Sequence, residues 1–363
     1  ELISRNLDLR EVCECFRTGK IPYDWLVVVI HPKEREPKMP APRMFAIMDI
    51  HPRSFFCLLE WNLANKIFPY IPEQTMTMNQ QDEEEVFLEI TRQSELSKTL
   101  SIGLDLSKWC SHFKKRTVMM VADRLNQLLG VENLYGSVHD FFEKCLIILR
   151  HFSFTPKQDT KGKKGNLSDE PGIYSGSEAG IEGIQQKLWT LITLCMLHWA
   201  VWRFGCSYKI TCQGDNLVIH INVTRRTAES DQAFKARIRD LNDKILKSIE
   251  QAAQMIGHEV NPDECFSSTS FVTYGKNMWF KGKKLQTILK VATRMFPKTT
   301  SDTPATESVI ANIAATGTSM VERSSNTLTS FFFTKYIEHL VIGREMMMSV
   351  VHKERFSKEK NSF

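Results

Sequence analysis

Apolar positions along the chain repeat with either a strand or a helix period, and polar interruptions mark where one gives way to the other. Residues 208–212 and 217–223 read as two apolar, β-branched strands separated by Gln213-Gly214-Asp215-Asn216. Gly-Asp and Asp-Asn pairs supply the positive φ and the local backbone bonding of a tight turn. Residues 25–30 (Trp-Leu-Val-Val-Val-Ile) form another buried strand. Residues 100–105 are an apolar strand ending in Asp105, and a helical stripe through Val118, Val121, Leu125 and Leu128 runs over 111–129. Asp82 to Glu85 open a further helix, where carboxylates oppose the macrodipole. The most apolar stretch, 188–202, belongs to a helix over 184–204 and is shorter than the ~18–20 residues of a bilayer span, so a buried core helix is expected. Residues 233–256 predict an amphipathic helix. Residues 264–274 and 278–280 predict a strand pair around Gly275-Lys276-Asn277, and helical segments fill 304–352, with Met346 to Met348 as core or interface. There is no internal repeat.

The breaker-rich segments change the picture from fold to chemistry. The 25–30 strand runs into His31-Pro-Lys-Glu-Arg-Glu-Pro-Lys38, and prolines 32, 37, 40 and 42 keep Lys33, Arg35, Lys38 and Arg43 on a loop or ribbon. Residues 156–172 form a basic loop with Lys161, Lys163 and Lys164, which either touches RNA or is simply solvated. A glycine-rich turn over 172–183 feeds the core helix; its small residues serve either close approach of a ribose or backbone, or helix packing.

With 363 residues, 42% hydrophobic and 25% charged, the chain can bury a sizeable core, as about two domains or one large α/β unit. Nine scattered cysteines lack the spacing of a zinc site and the density of a disulfide scaffold, so a reducing compartment is expected. The net charge of +5 permits an anionic partner without requiring one. The first residues carry neither an initiator Met nor a secretory pattern, and the chain reads as a fragment that is not exported.

Asp105 alone suits a helix cap, and Asp215 alone a turn. Two strand-associated aspartates, with a Gly-rich turn and a helix between them and a polycationic loop before both, are together the inventory of nucleotidyl transfer. Two hard cations held by carboxylate oxygens and substrate phosphates would serve an in-line displacement, with basic side chains neutralising the triphosphate.

The order of segments resembles the RNA-dependent RNA polymerase core of the large (L) proteins of non-segmented negative-strand RNA viruses, mononegavirus or chuvirus-like. Lys33-Glu-Arg-Glu36 with Arg43-Met-Phe45 is similar to the family's basic nucleotide-contacting segment. Asp105-Leu-Ser-Lys-Trp109 resembles motif A, and Phe141-Phe-Glu-Lys144 also recurs in the family. Gly180-Ile-Glu-Gly-Ile-Gln-Gln-Lys-Leu-Trp189 resembles motif B, Gln213-Gly-Asp-Asn216 motif C, and Ser270-Phe-Val-Thr-Tyr-Gly-Lys276 with Gly282 the motif E hairpin.

The resemblance implies an α+β right-hand polymerase, fingers and palm, with a small antiparallel palm sheet surrounded by helices. Residues 1–99 would be fingers, 100–290 palm with an inserted fingers loop near 130–180, and 291–363 a helical segment leading toward the thumb or next region. It implies metal ligation by Asp105, Asp215 and the Leu106 backbone carbonyl, with Asn216 assisting. Lys33, Arg35 and Arg43 would contact the NTP. Gly180, Glu182, Gly183 and Gln186 would support base pair and template, and the Tyr274-Gly-Lys276 hairpin the primer end. Mg²⁺ or Mn²⁺ and NTPs, ATP included, are the implied cofactor and substrates. RNA template and nascent RNA, a viral phosphoprotein and a nucleoprotein-coated genome are the implied partners, without a membrane. Virion and host cytoplasm, with the nucleus as an alternative, are the implied locations. Three departures stand out: Leu217 where the family has Gln, Pro42 where it has Gly, and Asn261-Pro-Asp-Glu264 where relatives often carry a Lys suited to protonating pyrophosphate. The competing expectation is a relic, an endogenous element or partial chain, that binds RNA or partners without catalysing. A reverse transcriptase ranks below both, because it carries a double aspartate where this chain has Asp215-Asn216.

Overall fold

Helix α1 (Leu9–Thr18) begins where Asp8 accepts the Arg10 amide and stops at Gly19, whose left-handed φ of 69° closes the last turn. The computed structural model that shows this describes residues 7–32, 44–91, 97–149, 172–275, 277–285, 288–295, 306–324 and 326–348. The chain divides into two units, Glu1–Ser270 and Phe271–Phe363.

In the first unit, β1 (Val27–Pro32) and β2 (Met44–Met48) precede α2 (Ile50–Asn62) and α3 (Gln80–Thr91). Trp25, expected in the strand, lies instead in a 3₁₀ turn, Tyr23–Leu26, directly before it. Strand β3 (Ser97–Leu104) leads to α4 (Lys115–Leu129), which starts four residues later than the apolar stripe suggested, because 109–112 close into a 3₁₀ turn. Helix α5 (Ser137–Lys144) and strands β4 (Leu146–Leu149) and β5 (Ile173–Ser175) follow, then α6 (Gln186–Val201), β6 (Ser207–Gln213), β7 (Asn216–Thr224), α7 (Asp231–Met255) and β8 (Phe266–Ser268).

Two four-stranded sheets result. One has the order β2-β1-β4-β5, with β4 parallel to β1. The other, order β6-β7-β3-β8, is antiparallel throughout. Its middle strands carry near-continuous apolar runs, as strands covered on both faces do: β3 is buried from Leu100 to Leu104, and β7 from Leu217 to Ile221. The one polar pair inside, Ser101 and His220, is satisfied by a 3.0 Å hydrogen bond across the ladder. Helix α6 is buried nearly all round, the pattern of a core helix. Helix α7 turns Phe234, Ile238, Ile245 and Ile249 inward, and the Ser230 hydroxyl caps its start at Ala233 N–H (3.2 Å).

The second unit opens with β9 (Phe271–Tyr274), β10 (Asn277–Phe280) and β11 (Lys283–Leu285), an antiparallel meander. Helices α8 (Ile288–Ala292), α9 (Thr306–Glu322) and α10 (Thr327–Met348) complete it around Val291, Met295, Val309, Ile313, Met320 and Ile337. The expected strand over 264–274 is two strands in different sheets, interrupted where Ser268 Oγ accepts the Ser270 amide (3.1 Å). The hairpin around Gly275 is present. Lys33, Arg35, Arg43 and Lys276, the basic loop with Lys161, Lys163 and Lys164, and the side chains of Met346 to Met348 lie outside the described residues. No helix among the described residues is long and apolar enough to cross a membrane.

Candidate active site

The antiparallel register sets two carboxylates at one end of the sheet. Leu104 is the last β3 residue paired with β7, opposite Leu217; Asp105 follows on one strand, and Asp215 precedes on the other, at the tip of the β6–β7 turn. That turn is tight because Gly214 adopts φ 64°. Asp215 is exposed there, and Asn216 Nδ2 donates to its Oδ1 at 3.2 Å. Leu217 is buried in the core while Asn216 faces solvent, as strand alternation requires.

Helix α6 fixes this tip from behind. Gly214 N–H donates to Thr190 Oγ1 (3.1 Å), and Trp109 Nε1–H donates to Thr193 Oγ1 (3.1 Å), one turn further along the same helix. The Trp109 indole meets the Trp189 ring edge-on, at 5.9 Å between centroids. Sequence reasoning did not single out Thr190, Thr193 or Trp109's indole, because a threonine on an apolar helix carries no local sign of its partner.

Asn261, which the sequence marked only as part of a departure from the family, also belongs to the site. Its backbone N–H donates to the Asp105 carbonyl (2.9 Å), and its Nδ2 lies 3.4 Å from Asp105 Oδ2. Ser107 N–H donates to the Glu259 carbonyl (2.9 Å), so Leu106 and Val260 form the non-hydrogen-bonded pair of a short antiparallel bridge. In such a pair the backbone groups point outward, which directs the Leu106 carbonyl away from the 259–261 segment. Burial, then the nearby Glu264 carboxylate, raise the pKa of Asp105; the Asn261 amide opposes this, and Asp215 adds to it. Asp105 and Asp215 are thus hard oxygen donors near enough to feel each other's charge, the donor type that Mg²⁺ or Mn²⁺ takes, while no cluster of three or more His, Cys, Asp or Glu side chains is placed to hold a metal among the described residues.

The glycine-rich turn before α6 lies beside this end. At Gly180 the two open explanations resolve toward packing: a Cβ would come within 2.3 Å of the Trp189 ring and 2.7 Å of the Cys110 carbonyl. Gly183 is exposed with φ 86°, and nothing crowds it. Gln185, absent from the sequence-based candidates, is left-handed at φ 58° and buried, with neither side-chain polar atom hydrogen-bonded among the described residues. Gln186 is exposed at the start of α6, and Glu182 is half-buried. Behind them, Glu60 of α2 accepts Lys187 N–H (3.1 Å) and Lys187 Nζ (3.4 Å), tying the α6 N-terminus to α2. Glu143 of the Phe-Phe-Glu-Lys segment pairs with Lys115 at 2.8 Å, at the surface.

Known proteins place this arrangement. A family model for the Mononegavirales RNA dependent RNA polymerase matches residues 2–363. The RNA-directed RNA polymerase L of lettuce necrotic yellows virus is 32% identical over 324 residues, covering 85% of this chain and 16% of that protein. That of rice yellow stunt virus is 27% identical, covering 92% of this chain and 17% of its own length. The large structural protein of rabies virus (strain HEP-Flury) is 28% identical, covering 76% and 13%. The chain thus spans about one-sixth of the length of the curated relatives it matches. Carrying the two aspartates on adjacent antiparallel strands and matching the family over nearly its whole length, the chain belongs to the Mononegavirales RNA-dependent RNA polymerase family.

Proposed function

We propose that this chain is the palm-centred catalytic core of a larger L protein, extending RNA by RNA-templated nucleotidyl transfer during viral transcription and genome replication. The observation that carries the reading is the convergence of Asp105 and Asp215 at one end of β3 and β7, with α6 hydrogen-bonded to the turn that bears Asp215. The β6-β7-β3-β8 sheet would be the palm, the β2-β1-β4-β5 sheet part of the fingers, and 291–363 the lead toward the next region.

Asp105, Asp215 and the Leu106 carbonyl would hold Mg²⁺ or Mn²⁺, which when bound activates the 3′-hydroxyl and stabilises the departing pyrophosphate. The chain's own groups supply the geometry. Asn216 restrains the Asp215 carboxylate, and Asn261 restrains Asp105, so neither has to be reorganised when substrate arrives. Lys33, Arg35 and Arg43 would neutralise the triphosphate. Gly180, through its packing against Trp189, fixes the path of the turn from which Glu182, Gly183 and Gln186 would face the template and nascent pair. Lys276 would contact the primer end. A protein reading A-form geometry, 2′-hydroxyls and phosphates leaves base identity to pairing. A phosphoprotein and a nucleoprotein-coated genome would be its partners, in the virion and the host cytoplasm.

The test is template-directed nucleotide incorporation by the full-length L protein with Mg²⁺ or Mn²⁺. Asp215→Ala should lower it by at least about a hundredfold. Wild-type incorporation by that variant would remove the metal assignment, and absence of incorporation by the parent protein with RNA binding intact would favour the relic.

A further inference from the structure

A cleft of about 400 Å³ lies between α7 and the edge strand β8; its cationic rim is at the end of β3 away from Asp105, while its Ser267 wall pairs with Ile102, three residues before Asp105. About seven residues of β3 separate Lys98, at its rim, from Asp105, or roughly 23 Å of extended strand. Its helical wall is Lys235, Arg239 and Asn242, spaced so that all three share one face of α7. Its opposite wall is Ser267, Ser268 and Thr269, and its floor is Leu100 and Ile238, both buried.

Lys98, Lys235 and Arg239 come from two elements distant in sequence and converge on this space, and none is ion-paired with a carboxylate among the described residues. Asp231 feels Lys98 and Lys235 but is hydrogen-bonded to Arg225. Concentrating three cations raises the folded state's electrostatic energy unless an anion neutralises them. The cleft also leaves the Asn242 Oδ1 buried without a hydrogen-bond partner among the described residues, beside an Nδ2 turned to Asp243 (3.2 Å). An arriving hydroxyl or amine would satisfy that oxygen.

We infer that this cleft is a binding site for phosphate groups, carried by an RNA strand or by a free nucleotide, separate from the candidate active site. Three cations with hydroxyl donors opposite suit the several oxygens of a phosphate chain. The aliphatic floor gives a ribose or base a surface to cover, and the size is that of a small-ligand pocket rather than an extended peptide groove. A site there would hold a nucleic-acid strand passing the back of the sheet, or sense nucleotide, without touching Asp105 or Asp215.

Calorimetric titration of the full chain with inorganic tripolyphosphate, with a short single-stranded RNA lacking a terminal phosphate, and with a tetraglutamate peptide tests this. The triple variant Lys98→Gln, Lys235→Gln, Arg239→Gln keeps most of each aliphatic stem. It should weaken the tripolyphosphate or RNA isotherm by at least about tenfold. A control lacking Arg53, Arg124 and Lys247 should bind as the parent does, and thermal melting should show both variants folded. Loss in the RNA arm alone would assign the cleft to a strand, with a shallower salt dependence in the variant; loss in the tripolyphosphate arm would assign it to a nucleotide. Equal weakening in variant and control, or tighter binding of the peptide than of either phosphate ligand, would overturn the inference. The polymerase reading is tested by loss of nucleotide incorporation in Asp215→Ala and the cleft by the isotherms of the triple variant, so failure here and failure of the polymerase reading are separable.

Discussion

Leu217 departs from the Gln that usually follows Gly-Asp-Asn, and its place in the fold accounts for the tolerance: it packs into the core beside Leu104, on the face opposite Asn216. A Gln there would have to find a hydrogen-bond partner inside an apolar cluster. Asn261 is the converse case. Its sequence context, Asn-Pro-Asp-Glu, offers only a helix or turn start, yet two contacts to Asp105 make it part of the site. Gly180 shows what a residue can cost when its only merit is absence of atoms. Gly180→Ala would press a methyl into the Trp189 ring and the Cys110 carbonyl, and should destabilise the fold by about 1–3 kcal/mol, read as a lower urea midpoint with an unchanged denaturant slope.

At the scale of elements, strands with a period of two and the fully apolar helix were readable from the residues, because burial on one or both faces leaves its mark in composition: β6, β7, β3 and α6 fall where the pattern put them, within a few residues. The turn at Gly214 was equally readable, since a positive φ selects its residues. Strands β2, β4 and β5 were not, being three to five residues long and short of a full period. The 264–274 stretch misled because no Gly or Pro marks a break in the polar run Ser267 to Ser270, while only the tertiary pairing shows that the chain changes sheets there. How α6 braces the active turn belongs to this scale. Thr190→Val is isosteric but leaves Gly214 N–H unmatched in a buried place, and should cost about 1–3 kcal/mol in equilibrium unfolding. A loss of incorporation larger than that of stability would mark the bond as one that positions Asp215.

Across the first unit as a whole, burial reaches three histidines. It lowers the pKa of His139 and His258 to about 4 and of His220 to about 3. Each is neutral when folded, whereas the unfolded chain takes up a proton near pH 6.5, so the unfolded state binds more protons throughout the window between. Stability from these groups is therefore complete above about pH 6.5 and is lost progressively as pH falls toward 4. Urea midpoints measured from pH 7.5 to 4.5 should fall with acid, and replacing His220 by Gln should flatten the slope. The sequence by itself determined the strands and helices with long, clean periods, the tight turn bearing Asp215, and, through six motifs in order, the family. Those follow from local backbone preference and from which side chains avoid water, which each segment carries in its own residues. Only the tertiary structure decided that Asp105 and Asp215 share one end of a sheet, that Thr190 and Asn261 hold them, and that three cations meet in a cleft between α7 and β8. Those facts depend on register and on which distant segments pair, and such long-range choices are made by the summed burial of the whole chain rather than by any stretch of it.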